Sequence, residues 1–230
     1  LVTGGDGRFA KVLKNENKKL KLIFVSKNQC NILKENSIIK CFKKYKPKIV
    51  IHTAGLSRPM RIHDHNISKS IELNIIGTAN IVKACNKFNI KLIYISTGYV
   101  YEGTKGNYSE EDGVKPFNNY GWSKLGGECS VKMYNNSLIL RVTMTEKPFN
   151  FKTAYTNLIS NFMYHEDFVG ILPKLINKKG IINVGGKSQS IYKFAKSKNI
   201  KVKKARLKNS KKLPLLQSMS LKKLTSILKK

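Results

Sequence analysis

A doubly wound, parallel α/β sheet is the fold this sequence predicts. Short apolar runs at 20–25, 48–52, 92–95, 138–141 and 180–184 read as buried strands. Stretches of helical periodicity separate them. A glycine-rich turn of Gly4, Gly5, Asp6 and Gly7 joins the first strand to the first helix. With 230 residues the chain can bury one good core, or one core and a small lobe. The sheet is expected over 1–145, with a small lobe over 146–230 interleaved with it.

The chain opens with Leu1, Val2 and Thr3, the end of a strand. Gly4 makes the following bend, and Gly7 lets the backbone approach a pyrophosphate at the start of the helix that begins near Arg8, Phe9 and Ala10. Ala10 stands where a third glycine often packs helix against strand. The run at 20–25 is the second strand and leads to Ser26 and Lys27. A dinucleotide site that prefers NAD carries Asp or Glu there, for the ribose hydroxyls. A cation suits a 2′-phosphate instead, so NADP(H) is favoured over NAD(H), and Arg8 is a second candidate for that phosphate. The alternative is that Lys27 and Arg8 are ordinary surface cations.

Residues 33–45 read as an amphipathic helix with Ile38, Ile39 and Phe42 inward, ended by Pro47. The third strand, 48–52, runs into Thr53, Ala54 and Gly55 and then a loop at the sheet's carboxyl end, where ligands bind. Within that loop Ser57 and Arg58 could touch a sugar or a diphosphate, or be plain loop polarity. His63 and His65 read as surface residues, without a metal partner at suitable spacing. A long helix is expected at 68–88, with Ile71, Ile75, Thr78, Val82 and Cys85 as its buried stripe.

The fourth strand, 92–95, leads to Ser96 and Thr97. After a polar loop, Pro116 and Asn118 or Asn119 position a helix carrying Tyr120 and Lys124. The strand at 138–141 has Arg141 near its end. Helices are expected at 154–163 and 165–176, with Pro173 cutting the second short. A strand at 180–184, a turn at 185–188 and helices at 192–197 and 221–228, the last capped by Ser220, complete the chain.

The net charge of +31 invites a nucleic-acid reading. Against it, the lysines are spread along the chain and aromatics are not interleaved with them. Abundant Lys, Asn and Ile point to compositional bias, with attraction of an anionic nucleotide as a secondary benefit. Cys30, Cys41, Cys85 and Cys129 lack metal-ligand spacing and read as free thiols in a reducing compartment. No apolar run is long enough to span a bilayer and no secretory signal is visible, so the expectation is cytoplasmic. The absence of an opening Met points to a missing start or a fragment.

Tyr120 and Lys124 lie four apart, on one face of a helix. An ammonium beside a phenol favours the phenolate, which predicts a tyrosine pKa below its usual ~10 and a usable general acid or base. The Thr97 hydroxyl, at a strand's carboxyl end, could hydrogen-bond the same reacting oxygen. The segments STGYVYEG, KGNYSEED and PFNNYGWSKLGGE resemble the extended short-chain dehydrogenase/reductase superfamily, most closely its dTDP-4-dehydrorhamnose reductase branch. The resemblance is strongest from 1 to 141.

That resemblance implies a Rossmann-type domain over 1–145 and a substrate-binding lobe beyond it. It also implies a catalytic group of Thr97, Tyr120 and Lys124. Gly4, Gly5, Asp6, Gly7, Arg8, Phe9, Ser26, Lys27, Asn31, Ile32, Thr53, Ala54, Gly55 and Asn74, with Tyr120 and Lys124, would hold the cofactor. Ser57, Arg58, Gly98, Tyr99 and Arg141 would meet the substrate. Asn74 has a structural role in the family, near the catalytic lysine. The implied activity is reduction of a nucleotide-activated 4-keto-6-deoxy sugar by NADPH in polysaccharide biosynthesis, with no metal.

The implied partners are a nucleotide-sugar substrate and a homodimer mate, with no specific nucleic acid and no membrane. A sugar-nucleotide epimerase and a non-catalytic NADP-binding regulatory subunit are the alternatives. A dehydratase needs an acid/base residue after Thr97, where this chain has Gly98. The reductase branch also differs there, with an Asp, and it has an aromatic turn after the strand of Arg141 that this chain lacks.

Overall fold

The computed structural model describes residues 1–197, 201–208 and 213–229. The first half runs β1 (Val2–Thr3), α1 (Arg8–Glu16), β2 (Phe24–Val25), α2 (Glu35–Tyr45), β3 (Ile49–His52), α3 (Ile62–His65) and α4 (Ile67–Ile71). A π-helical turn (Glu72–Ile76) leads into α5 (Gly77–Lys87), β4 (Lys91–Thr97), a 3₁₀ turn (Gly98–Val100) and α6 (Asn119–Lys132). Then come β5 (Ser137–Val142), β6 (Met144–Thr145), β7 (Thr153–Tyr155), β8 (Ile159–Ser160), β9 (Met163–Tyr164), α7 (His165–Leu175) and β10 (Gly180–Val184). The chain continues through β11 (Gln189–Ser190), α8 (Ile191–Lys196), β12 (Lys203–Ala205) and α9 (Lys222–Lys229).

Six strands form one parallel sheet in the order β10-β5-β4-β3-β1-β2. The order reverses between β1 and β3, and a ligand crevice is expected at the carboxyl ends there. Alternate residues of each strand feed two apolar layers, one on each face. Ile93, Ile95, Leu138 and Leu140 join α1 and α7 through Phe9, Leu13, Phe168 and Leu172. Leu92, Tyr94 and Ile139 join α2, α5 and α6 through Ile38, Phe42, Ile81 and Val131. This is the doubly wound sheet that the alternation of elements predicts.

The second half does not stand apart as one lobe. α7 returns to pack Phe168 on Phe9, with ring centroids 5.2 Å apart, and β10 adds itself to β5. Among the described residues, the segments around β7, β8, α8 and β12 gather into a small cluster of their own, centred on Phe149, Tyr164, Ile191 and Phe194.

Four expectations are corrected. The second strand is two residues, not six, because Asn17 takes the Leu20 N–H at 3.0 Å and donates to its carbonyl at 2.7 Å, holding a turn where the strand was expected to begin. The helix expected at 68–88 is interrupted by the π turn, whose extra residue rotates the faces. As a result Ile71 is exposed, while Asn74, Ile81 and Ala84 are buried. Residues 154–163 are extended rather than helical. Their backbone donors are taken by distant carbonyls, Thr156 by Ala205 at 2.9 Å and Ile159 by Leu215 at 2.7 Å. Pro173 lies inside α7 without cutting it, since the flanking Leu172 and Leu175 are fully buried and their packing outweighs a proline cost of about 3 kcal/mol.

Candidate active site

The turn after β1 is shaped by close backbone approach. Gly4 has φ +67°, and a Cβ there would lie 2.7 Å from the Ala54 Cα, so only glycine fits between β1 and the end of β3. Gly7 donates to the Gly4 carbonyl at 2.9 Å and opens α1 without a side-chain cap. The first N–H groups of α1 therefore have no intrahelical acceptor and suit an anion.

Beside this turn lies a cleft of ≈ 260 Å³. Its wall contains Gly4, Asp6, Gly7, Lys27, Asn31, Ile32, Thr53, Ala54 and Gly55, all named from the sequence, together with Cys30 and Leu73. The Asn31 side chain accepts the Leu33 N–H at 3.0 Å, which fixes the bend that brings Ile32 to the cleft. A strand-to-helix turn with free N–H groups, next to a cleft walled by small residues and one lysine, fits a dinucleotide.

Four other residues named for that cleft are placed differently. Phe9 is a core residue, with its ring on Phe168 and against His165 at 5.6 Å. Gly5 abuts Phe24 and Val25 of β2, where a Cβ would be 3.0 Å from the Phe24 Cβ. Ser26 begins a turn, its N–H donating to the Gln29 side chain at 2.9 Å. Asn74 is buried and acts as a structural tie. Its side chain accepts from the Leu56 N–H at 2.7 Å, and donates to the Leu56 carbonyl at 2.9 Å and Ser123 Oγ at 2.8 Å. Ser123 in turn donates to the Tyr120 carbonyl at 2.8 Å, so the loop after β3 is tied to the first turn of α6.

Tyr120 is the second residue of α6. Asn118 caps that helix, accepting from the Gly121 N–H at 2.8 Å, and a Cβ at Gly121 would overlap the Tyr99 carbonyl. The helix start can thus press against the end of β4. Thr97, the last residue of β4, lies near enough to the Tyr120 phenol to favour its ionised form, and its hydroxyl accepts from the Tyr99 N–H at 3.2 Å. The Tyr99 and His63 rings lie 6.0 and 5.0 Å from the Tyr120 ring.

One turn further on, Lys124 is 8% exposed, with its ammonium 4.0 Å from the centre of the Tyr94 ring. Burial pulls Lys124 from 10.5 down to about 7, against the opposing pull of Glu128. Burial also pushes Tyr120 up to about 12; the nearby Thr97 hydroxyl and the Arg58 and Arg8 charges oppose it, while Tyr99 reinforces it. This corrects the expected lowering of the tyrosine by its lysine. Desolvation outweighs charge attraction for both groups. Tyr120 is a phenol that holds its proton.

Arg141 does not face this site. It is 4% exposed and donates to both Glu128 oxygens, at 2.8–3.2 Å, and to the Tyr101 hydroxyl at 2.8 Å. Ser96 donates to the same Glu128 carboxylate, so strand-end charges pair inside the protein. Gly98 faces inward too, since a Cβ there would be 2.8 Å from Thr143 Oγ1 and 3.2 Å from the Met219 sulfur. Ser57 and Arg58 are at the site's edge, Arg58 paired with Glu146 at 2.9 Å.

His63, expected on the surface, is 1% exposed and shares a 2.7 Å hydrogen bond with Ser70 Oγ. Sequence reasoning missed His63, Tyr94, Glu128 and Glu146. Only Glu128 carried a signal, one helical turn beyond Lys124.

Comparison with known proteins bears on this geometry. The family model described as RmlD substrate binding domain matches residues 1–162. Methionine adenosyltransferase 2 subunit beta of Bos taurus is 35% identical over 115 residues, half of this chain and 34% of that protein. The chain thus spans about a third of that relative's length. The dTDP-4-dehydrorhamnose reductase of Aggregatibacter actinomycetemcomitans is 25% identical over 179 residues, 75% of this chain and 59% of that one. A crystal structure of dTDP-4-dehydrorhamnose reductase from Bacillus anthracis in complex with NADP superposes with a TM-score of 0.86 at 23% identity. It covers 98% of this chain and 91% of that one, a likeness of fold.

Proposed function

Because the chain belongs to the RmlD substrate binding domain family, we propose that it is a nicotinamide-dependent reductase of a nucleotide-activated 4-keto-6-deoxy sugar. The observation that carries this reading is the placement of Thr97 at the end of β4 beside the Tyr120 phenol, with buried Lys124 one turn away, at the carboxyl edge of the sheet that holds the glycine cleft. NADPH, when bound, supplies the hydride.

This chain's residues handle the proton. Tyr120, held protonated to about 12, gives it to the oxygen of the sugar keto group as negative charge develops there. The Thr97 hydroxyl orients the phenol and hydrogen-bonds the same oxygen. Lys124, drawn down to about 7, regains its ammonium when an anionic ligand shares its pocket, and then stabilises the tyrosinate left behind. Asn74 and Ser123 hold the helix start in place for this transfer.

The cleft residues Asn31 and Ile32 are assigned to the adenine end, with Thr53, Ala54 and Gly55 lying against the cofactor. Lys27 is on the cleft wall, whereas Arg8 is paired with Glu146 at 3.0 Å. Lys27 is therefore our candidate for a 2′-phosphate, and NADPH is favoured over NADH.

The test is NADPH oxidation with dTDP-, UDP-, GDP- and CDP-linked 4-keto-6-deoxy sugars. Tyr120→Phe should lower turnover by roughly 10²–10⁴-fold with the fold intact. Full turnover in that variant refutes the assignment. An epimerase on the same scaffold would convert sugar without stoichiometric loss of reduced cofactor. A second reading rests on the 35% identity to an adenosyltransferase subunit. Under it, the chain would bind NADP(H), show no reductase turnover, and alter the activity of a methionine adenosyltransferase catalytic subunit.

A further inference from the structure

Two arginines from separate elements converge on one carboxylate, with a serine beside them. Arg8, from the first turn of α1, pairs with Glu146 Oε1 at 3.0 Å. Arg58, from the loop after β3, pairs with Glu146 Oε2 at 2.9 Å. Ser57 accepts a hydrogen bond from Arg8 at 3.1 Å. Glu146 comes from the chain just after β6, and the same segment lays Phe151 against Arg58, 5.9 Å from ring centre to guanidinium.

The charges do not balance. Two guanidiniums share one carboxylate, and among the described residues neither makes a salt bridge to another acid. All three charged groups are partly open to solvent, with side-chain exposures of 48%, 36% and 24% for Arg8, Arg58 and Glu146. Paired, partly solvent-open guanidinium forks match a group with several anionic oxygens better than a single carboxylate. Both arginines are near enough to Tyr120 for their charge to favour its ionised form.

We propose that Arg8, Ser57 and Arg58 form one binding subsite for the diphosphate of the sugar nucleotide, and that Glu146 occupies it in the free protein as a displaceable internal anion. The inference rests on the nucleotide-sugar reading and deepens it. The carboxylate shields two cations that would otherwise repel each other across the mouth of the site. An incoming diphosphate carries more charge, displaces it, and loosens the 146–151 segment from Arg58. Glu146 is then a specificity residue: it disfavours neutral or singly charged ligands, which cannot replace it.

The experiment is calorimetric titration of dTDP into the protein saturated with NADP⁺, so that the glycine cleft does not compete. Wild type, Glu146→Gln, Arg58→Gln and the double variant are compared, with inorganic pyrophosphate and glucuronate as further probes. Glu146→Gln should bind dTDP and pyrophosphate about tenfold more tightly, and Arg58→Gln about tenfold more weakly. The double variant should show no gain over Arg58→Gln. Unchanged or weaker dTDP binding in Glu146→Gln overturns the proposal, and so does a gain confined to glucuronate.

Glu146→Ala serves as a second variant should the glutamine fail to fold. Binding is read without turnover, so the two readings fail separately. A Tyr120-dependent reductase without the Glu146 effect loses only this inference. A Glu146 effect without turnover loses only the reductase.

Discussion

Replacing Lys124 with methionine should make the free protein more stable at pH 7, not less. Lys124 is 8% exposed, and burial draws its ammonium from 10.5 to about 7. An unfolded chain keeps the ordinary value. Between pH 7 and 10.5 the unfolded chain therefore holds a proton that the folded protein has given up, so stability rises with pH across that window and is lowest below it. A gap of about 3.5 pH units, at 1.36 kcal/mol each, is worth about 5 kcal/mol, of which about 4 kcal/mol is still missing at pH 7.

Methionine fills a similar stem volume without charge. It loses the ammonium seat over the Tyr94 ring, which lies 4.0 Å from the charge. Such a contact is worth about 2 kcal/mol when desolvated, leaving a net gain of about 2 kcal/mol at pH 7. Urea denaturation of both proteins from pH 6 to 10 reads it directly. The midpoint of Lys124→Met should be higher at pH 7, and the difference should close or reverse by pH 10, while reductase turnover is lost. A variant less stable than wild type at pH 7, with a gap that does not change with pH, would refute the claim that an uncompensated ammonium is buried there.

Glu128→Gln should cost about 3–5 kcal/mol of stability in urea denaturation, because it leaves the Arg141 guanidinium buried without its carboxylate. It should also lower Lys124 further, since Glu128 is the charge that raises it, and move any Lys124-dependent limb of the rate profile to lower pH. Asn74→Leu removes three hydrogen bonds and should cost about 2 kcal/mol, with kcat falling more than KM rises, because the tie to α6 orients Tyr120 rather than touching substrate. Gly4→Val forces a side chain into positive φ, 2.7 Å from the Ala54 main chain, and should abolish NADP⁺ binding by calorimetry even where circular dichroism shows a folded protein.

What the sequence made legible follows from how local the signals are. The strands at 48–52 and 92–95 and the turn at Gly4 are specified by neighbours in the chain, and nine cleft residues were named because a strand-turn-helix unit carries its own geometry. The failures share a different cause. Residues 154–163 have helical spacing, but their backbone partners lie some 50 residues on, at Ala205 and Leu215, where local pattern has no information. The π turn at Glu72–Ile76 shifts a helical stripe by one residue and exposes Ile71, and nothing in composition marks the insertion. Arg141 looked like a substrate ligand because it ends a strand. Its partner Glu128 sits on the neighbouring helix, and only packing brings the two charges together.

The same distinction bears on the choice between a reductase and a nucleotide-holding subunit. Spacing alone placed Tyr120 and Lys124 together, and predicted the wrong sign for the tyrosine. Burial drives the two groups apart, the phenol up to about 12 and the ammonium down to about 7. A scaffold that only retained a nucleotide would need neither displacement, and an apolar residue at 124 would spare it about 4 kcal/mol at pH 7. Lys124 sits where a charge is costly, one turn from the Tyr120 phenol beside Thr97. A phenol that gives up a proton and an ammonium that steadies the phenolate left behind are the two roles a reductase needs beside a nucleotide cleft. The burial of Lys124 one helical turn from Tyr120 is the geometric ground on which we favour the reductase over the subunit.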